Sequence, residues 1–267
     1  MNEFHFSRQT LPPLADGVSI AFRAARPFPH IVMDDFLPAA VVDDVLSEFP
    51  TPGQIGWTKY DDETDLKLAA EDTSQFGPHT RHLLEQFNSS AFVTFLERLT
   101  GIEGLIPDPH FRGGGLHQIE RGGFLKVHAD FNWYPRLRLD RRLNLLLYLN
   151  KNWSDEYGGH LELWNKDMTA CEQRILPAFN RCVIFATTDD AHHGHPDRLA
   201  CPEGWSRKSL AVYYYSNGRP EHERHDAHST LFKERPGEQF TARSKTFVKK
   251  LLPPILLDAV RALRRRG

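Results

Sequence analysis

The sequence predicts a mainly β domain, a sandwich or barrel of short strands, with helices at either end of the chain. Three textures carry that expectation. Between residues 111 and 216, short apolar or alternating runs recur between Gly, Asn and Asp, as in all-β sandwiches and barrels. Before them, apolar residues repeat at helical spacing. After them, residues 217–267 turn polar and then helical again.

Taken in order, PFPHIVMDDFLPAAVVDDVLSEFP (27–50) reads as strand, turn and helix. Pro38 suits a first helical turn, and Val41, Val42, Val45, Leu46 and Phe49 recur at helical spacing. Residues 51–78 are polar, with Gly and Pro at both ends, and read as a long loop. PHTRHLLEQFNSSAFVTFLERLTG predicts two consecutive helices, with Phe92, Phe95, Leu96 and Leu99 in one stripe and Gly101 as a C-terminal cap. The strand candidates are LHQIE, FLKVHAD, LNLLLYLN, HLELW, CVIFAT and SLAVYYYS. Trp153 and Trp164 read as core. The glycines of RGGGLHQIERGG suit tight turns, since a phosphate cradle needs a strand–glycine–helix context that is missing here. The expected organisation is therefore a strand with supporting helices (1–105), a β core (106–220), and a polar loop with a basic helical tail (221–267).

Composition narrows the class. A net charge of -2 argues against nucleic-acid binding through bulk charge. Three cysteines, odd in number and without a C-x-x-C, exclude a disulfide framework or a cysteine zinc cage and fit a reducing cytoplasm. The start MNEFHFSRQTLPPLA lacks the pattern of a signal peptide, and no run approaches the roughly 20 apolar residues of a spanning helix. A cytoplasmic protein is the expectation. The tail RSKTFVKKLLPPILLDAVRALRRRG sets eight basic residues against Asp258. It reads first as a surface helix with a solvated basic face, and second as a contact for an anionic membrane or partner.

The chemistry starts at GGFLKVHADFNWYP. On a strand, alternate side chains share a face, so His128 and Asp130 point one way while Leu125, Val127 and Ala129 point the other. A bare His-x-Asp is weak, because His195-Pro196-Asp197 is a second copy. That copy lies in a turn-like stretch with a proline that cannot donate to a sheet ladder. A third ligand is available after CVIFATTDDA, from His192, His193 or His195. Arg207 and Ser209 then share a face of RKSLAVYYY, and an arginine fork beside a hydroxyl is a carboxylate receptor. Two histidines and one carboxylate with open positions form the facial triad of non-haem Fe(II) oxygenases. A zinc or manganese isomerase or hydrolase, and a binding module that lost catalysis, are the alternatives. Trp133 and Tyr134 follow the ligand pair in a loop with Arg136 and Arg138, a place for substrate contacts.

Four segments, GGFLKVHAD, RRLNLLLYLNKNWSDEYGGHLELW, PAFNRCVIFATTDDAHHGHP and RKSLAVYYY, resemble the 2-oxoglutarate and Fe(II)-dependent oxygenases of the prolyl-4-hydroxylase-like branch. The resemblance implies a double-stranded β-helix, or jelly roll, with supporting helices. It implies Fe(II), 2-oxoglutarate and O2, and hydroxylation of an unactivated C–H with release of succinate and CO2. It makes His128, Asp130 and His193 the iron ligands, with His192 and His195 as fallbacks for the third. It assigns Arg207, Ser209 and Tyr148 to the distal carboxylate of 2-oxoglutarate. One departure is the insertion RLACPEGWS between His193 and Arg207, which lengthens a loop and bears on the substrate. That substrate stays open among peptidyl proline, an amino acid, a glycan and a small metabolite.

Overall fold

Helix α1 (Leu11–Ala24) comes first, followed by strand β1 (His30–Met33) and helix α2 (Ala39–Ser47), in a computed structural model that describes residues 4–7, 9 and 11–240. Helix α1 goes beyond the sequence expectation; it buries Leu11, Ala15, Ser19 and Phe22 along one stripe. Residues 51–78 are not one long loop. They contain the hairpin of β2 (Thr58–Asp61) and β3 (Asp65–Ala70), and β3 enters the main sheet. Its polar residues hide it from a hydrophobic-pattern reading: Asp65 and Lys67 lie on the same face as Ala69.

The two expected helices form as α3 (Pro78–Phe87) and α4 (Ser90–Thr100). Ser89 caps α4 by accepting from the Phe92 N–H, and Gly101 ends it at a φ of 77°. Then follow β4 (Ile106–Pro107), β5 (Gly115–Glu120), β6 (Phe124–Ala129), β7 (Trp133–Tyr134), β8 (Leu139–Tyr148), β9 (Leu161–Trp164), β10 (Cys171–Ile175), β11 (Cys182–Ala186), β12 (His193–His195) and β13 (Ser206–Ser216). The segment expected as polar loop contributes β14 (Leu231–Phe232), while the expected basic helix lies outside the described residues.

The fourteen strands among the described residues join one curled antiparallel sheet, with the main order β1-β11-β8-β13-β5-β3-β6-β12-β9-β10. This is the expected jelly roll. The long strands β8 and β13 are buried on both faces, which explains their near-continuous apolar runs. Leu143, Leu145, Leu147, Leu210, Val212 and Tyr214 pack outward into one core with the helices, where Phe87, Phe92 and Phe95 are fully buried. Inside, Tyr148, Val183 and Phe185 meet Leu161 and Leu163 of the facing arm. Trp153 and Trp164 are buried as expected.

The glycine turns also form. Gly115 has a φ of 78°, and a Cβ there would lie 2.2 Å from the Ala70 carbonyl oxygen, so only glycine lets β5 and β3 approach. All three cysteines are free, and no helix among the described residues is long and apolar enough to cross a membrane. β14 pairs with β6 at Ala129 and His128.

Candidate metal centre

β6 and β12 run antiparallel with His128 opposite His193, and their rings lie 4.5 Å apart between centroids. Asp130, just beyond β6, returns to the same point. Its Oδ1 is 3.6 Å from His128 Nε2 and its Oδ2 is 3.5 Å from His193 Nε2. The three residues offer donor atoms all within 4.8 Å of one another. Two imidazole nitrogens and a carboxylate converging in this way are the donor set that would hold an Fe(II) ion.

The ring orientations suit that role. His128 Nδ1 donates to the Lys126 carbonyl at 2.8 Å, and His193 Nδ1 to the Ala191 carbonyl at 2.9 Å. A carbonyl only accepts, so the proton sits on Nδ1 and the Nε2 lone pair is left for a metal. Burial, opposed in part by Asp130, pulls the His193 imidazole down to about 4, so it is neutral near pH 7.

The Asp130 carboxylate has its own support, from residues that sequence reasoning missed. Asn144 Nδ2 donates to Oδ2 at 2.8 Å, and Arg141 Nη2 lies 3.2 Å from the same oxygen. Arg141 also donates to Asn144 Oδ1 from Nε and Nη2, at 3.0 and 2.7 Å. Its buried guanidinium stands 3.5 Å over the Tyr213 ring and 4.5 Å from that of Phe131. Burial alone raises the Asp130 carboxyl, but Arg141, His193 and His128 hold it well below the usual carboxylate range. One sequence signal was present: Asn144 is a polar residue inside an apolar strand.

Arg207 lies elsewhere in the same interior, on β13. Its Nε donates to the Gly159 carbonyl at 2.8 Å and its Nη2 to the Tyr148 hydroxyl at 3.1 Å. It is 4 % exposed, and among the described residues it has no carboxylate partner. Ser209 pairs with Tyr148 on one side and His117 on the other, so the expected receptor residues are neighbours. Burial pushes the Tyr148 phenol above its ordinary range, and it keeps its proton. His117 gives one ring nitrogen to the Gly113 carbonyl at 2.9 Å; burial and then Lys67 hold it at about 3. Lys67 itself is matched by Asp65 at 3.4 Å.

The other expected residues fall differently. His192 and His195 stand outside the three-residue donor group. His195 is not in a turn; it ends β12, whereas Asp197 is exposed and pairs with Arg235 at 2.9 Å. The strand continues because Gly194 lets β12 press on β6, where a Cβ would meet carbonyl oxygens at 2.8 and 2.9 Å. Trp133 and Tyr134 are not loop residues but form β7 against the start of β8. Tyr134 is buried against Tyr215, with Arg112 over its ring. With Arg136 it lines an open groove of about 450 Å³, shared with Glu71, Asp72, His110 and Arg112.

Residues 114–215 match the family model of the 2OG-Fe(II) oxygenase superfamily. No curated protein matches the chain. Among solved structures, the chain is similar to a prolyl hydroxylase from Trichoplax adhaerens in complex with a hypoxia inducible factor peptide fragment. The identity is 16%, the TM-score 0.57, and the match covers 78% of this chain and 91% of that one. It is also similar to a Pseudomonas putida prolyl-4-hydroxylase, at 16% identity and a TM-score of 0.52, covering 78% of this chain and 100% of that one. These likenesses establish the shared fold.

Proposed function

The segment from residue 114 to residue 215 belongs to the 2OG-Fe(II) oxygenase superfamily, and from that premise we propose that the chain is a hydroxylase of an unactivated C–H bond. In this reading His128, Asp130 and His193 hold Fe(II), while Arg207, Tyr148 and Ser209 receive the distal carboxylate of 2-oxoglutarate. With these bound, the centre supplies O2 activation, the co-substrate leaving as succinate and CO2 and one oxygen atom entering the substrate.

One observation carries the reading: a buried guanidinium without a carboxylate partner among the described residues shares its interior with a two-histidine, one-carboxylate donor group. An uncompensated buried charge costs several kcal/mol, and a dicarboxylate removes that cost. A metal isomerase or hydrolase on the same fold has no use for Arg207.

The chain's own residues then have defined tasks. Arg141 and Asn144 keep Asp130 ionised and fixed. The Tyr148 hydroxyl accepts from Arg207, which turns its own proton toward an incoming oxygen. Leu146, Leu163, Val183 and Phe185 wall the site with apolar surface and exclude water. The groove lined by Tyr134 and Arg136, with Trp133 on the same strand, is assigned to the primary substrate.

The test needs no knowledge of that substrate. Anaerobic protein with Fe(II) and 2-oxoglutarate should develop a weak visible charge-transfer band, absent with an analogue that lacks the keto oxygen. Admitting O2 should then yield succinate. Folded, iron-replete protein that gives neither result leaves the isomerase or hydrolase reading in place. Screening peptide and metabolite pools for co-substrate-dependent gains of one oxygen identifies the substrate.

A further inference from the structure

We propose that His195 is a further binding residue for the co-substrate, donating a ring N–H to a carboxylate of 2-oxoglutarate inside the barrel. This rests on the oxygenase reading above.

The first ground is an unmet hydrogen-bonding demand. His195 is 4 % exposed, and neither ring nitrogen has a partner among the described residues. His128, His193 and His117 each tie one nitrogen to a backbone carbonyl. Buried polar groups in folded proteins are nearly always satisfied, and an orphan imidazole inside a binding chamber marks where a ligand completes the set. His192 also has orphan nitrogens, but it alternates with His193 and faces the other side, toward Asn165 and Lys233.

The second ground is direction. The pairings His193↔His128 and His195↔Leu125 put the extra residue of the bulge on β6, so β12 keeps its own alternation. His195 therefore points the same way as His193, into the interior. The charged groups that bear on it, strongest first, are Arg207, Lys67, His128 and His117. It thus shares the interior that holds both His193, two residues earlier on β12, and the Arg207 guanidinium.

The third ground is the sign of the chamber. Of the cations around His195, Lys67 is matched by Asp65, while Arg207 has no carboxylate partner among the described residues. A donor aimed into a positive enclosure fits an anionic acceptor. An imidazole keeps at least one N–H in either protonation state, so the contact does not depend on its charge. A carboxylate offers about four acceptor sites, enough for Arg207, Tyr148, Ser209 and one further donor.

The test compares His195→Val with His195→Gln by anaerobic calorimetry of Fe(II)-loaded protein titrated with 2-oxoglutarate, and by metal binding without it. His195→Val should weaken 2-oxoglutarate by roughly ten-fold or more, as expected for a hydrogen bond to a charged group. Metal affinity should stay unchanged, and His195→Gln, which restores an N–H, should recover most of the loss. Equal losses in both variants reduce the role to packing and overturn the proposal. Should the valine variant fail to fold, zinc-loaded wild type with 15N-labelled histidine gives the answer. The imidazole signals missing from the His195→Gln spectrum should shift when 2-oxoglutarate is added, and unmoved signals overturn the proposal. If wild type binds no 2-oxoglutarate, the oxygenase reading falls and this one with it. If wild type binds it and the valine variant binds it equally well, only the role of His195 falls.

Discussion

Replacing Arg141 with methionine isolates the support of the metal-ligating carboxylate. The substitution keeps the apolar stem but removes the guanidinium that sits 3.2 Å from Asp130 Oδ2, donates twice to Asn144 and stacks on Tyr213. Arg141 is buried and the Asp130 side chain is only 11% exposed, so the metal-free protein is left with a poorly compensated carboxylate. Breaking such a pair costs about 3–5 kcal/mol. For a domain of this size that corresponds to a fall in Tm of about 10 °C. A bound divalent ion supplies the missing positive charge, so the loaded protein should lose much less. The consequence runs against intuition: a variant in the metal centre should be stabilised more by metal than wild type is, because binding linked to folding adds directly to stability. Urea or thermal denaturation of Arg141→Met and wild type, each with and without saturating Mn(II), measures both differences. An unchanged metal-free variant, or a loss equally large with metal bound, refutes the charge-compensation argument.

Four further outcomes are expected. His128→Ala, Asp130→Ala and His193→Ala should each abolish succinate formation and weaken metal binding while the circular dichroism spectrum stays native; a fully active His193→Ala together with an inactive His192→Ala removes His193 from the centre. Arg207→Met should weaken 2-oxoglutarate by about ten-fold or more and leave metal affinity intact, since a charge-assisted pair contributes about 1.5–3 kcal/mol; calorimetry that finds equal affinity takes Arg207 out of the pocket. Gly115→Ala should destabilise by about 1–3 kcal/mol or more, because its positive φ and the Ala70 carbonyl leave no room for a Cβ; a wild-type urea midpoint contradicts the close approach. Metal-free protein should lose stability as pH falls below about 6.5, because unfolded imidazoles then bind protons that buried His193 (about 4) and His117 (about 3) refuse; a urea midpoint that stays flat from pH 7 to pH 5 contradicts those depressed values.

What was legible in the chain follows from the range of each signal. Strand alternation is local, so it brought His128 together with Asp130 and Arg207 together with Ser209 before any fold was known. The helical stripe of Phe92, Phe95, Leu96 and Leu99, and the Gly101 cap, were readable for the same reason. β2 and β3 were not, because TKYD of β2 is almost wholly polar and exposed, and Asp65 and Lys67 break the apolar alternation of β3 that marks a half-buried strand. β14 escaped because two residues carry no periodicity; only its pairing with β6 defines it. The partnership of Arg141 and Asn144 with Asp130 crosses from one strand to another, and a one-dimensional pattern holds no record of it. His195 reads in the sequence as a spare ligand in a turn, since nothing in HGHP announces the close approach at Gly194 that prolongs β12.

The pairing of β14 with β6 bears on how the protein can be shortened. The family match ends at residue 215, which makes that point an inviting place to trim, yet Leu231 and Phe232 cover the Ala129 and His128 backbone, and the Phe232 ring lies 5.6 Å from that of His128. The Lys233 N–H adds a bond to the Val127 carbonyl at 2.8 Å. A chain cut at the family boundary strips this cover from the strand that carries His128 and leads directly into Asp130, two of the three proposed iron ligands. It leaves a row of unpaired N–H and C=O groups open to a neighbouring molecule. The minimal folding unit is thus longer than the minimal recognisable one, and a truncated enzyme would be lost first to self-association rather than to faulty chemistry.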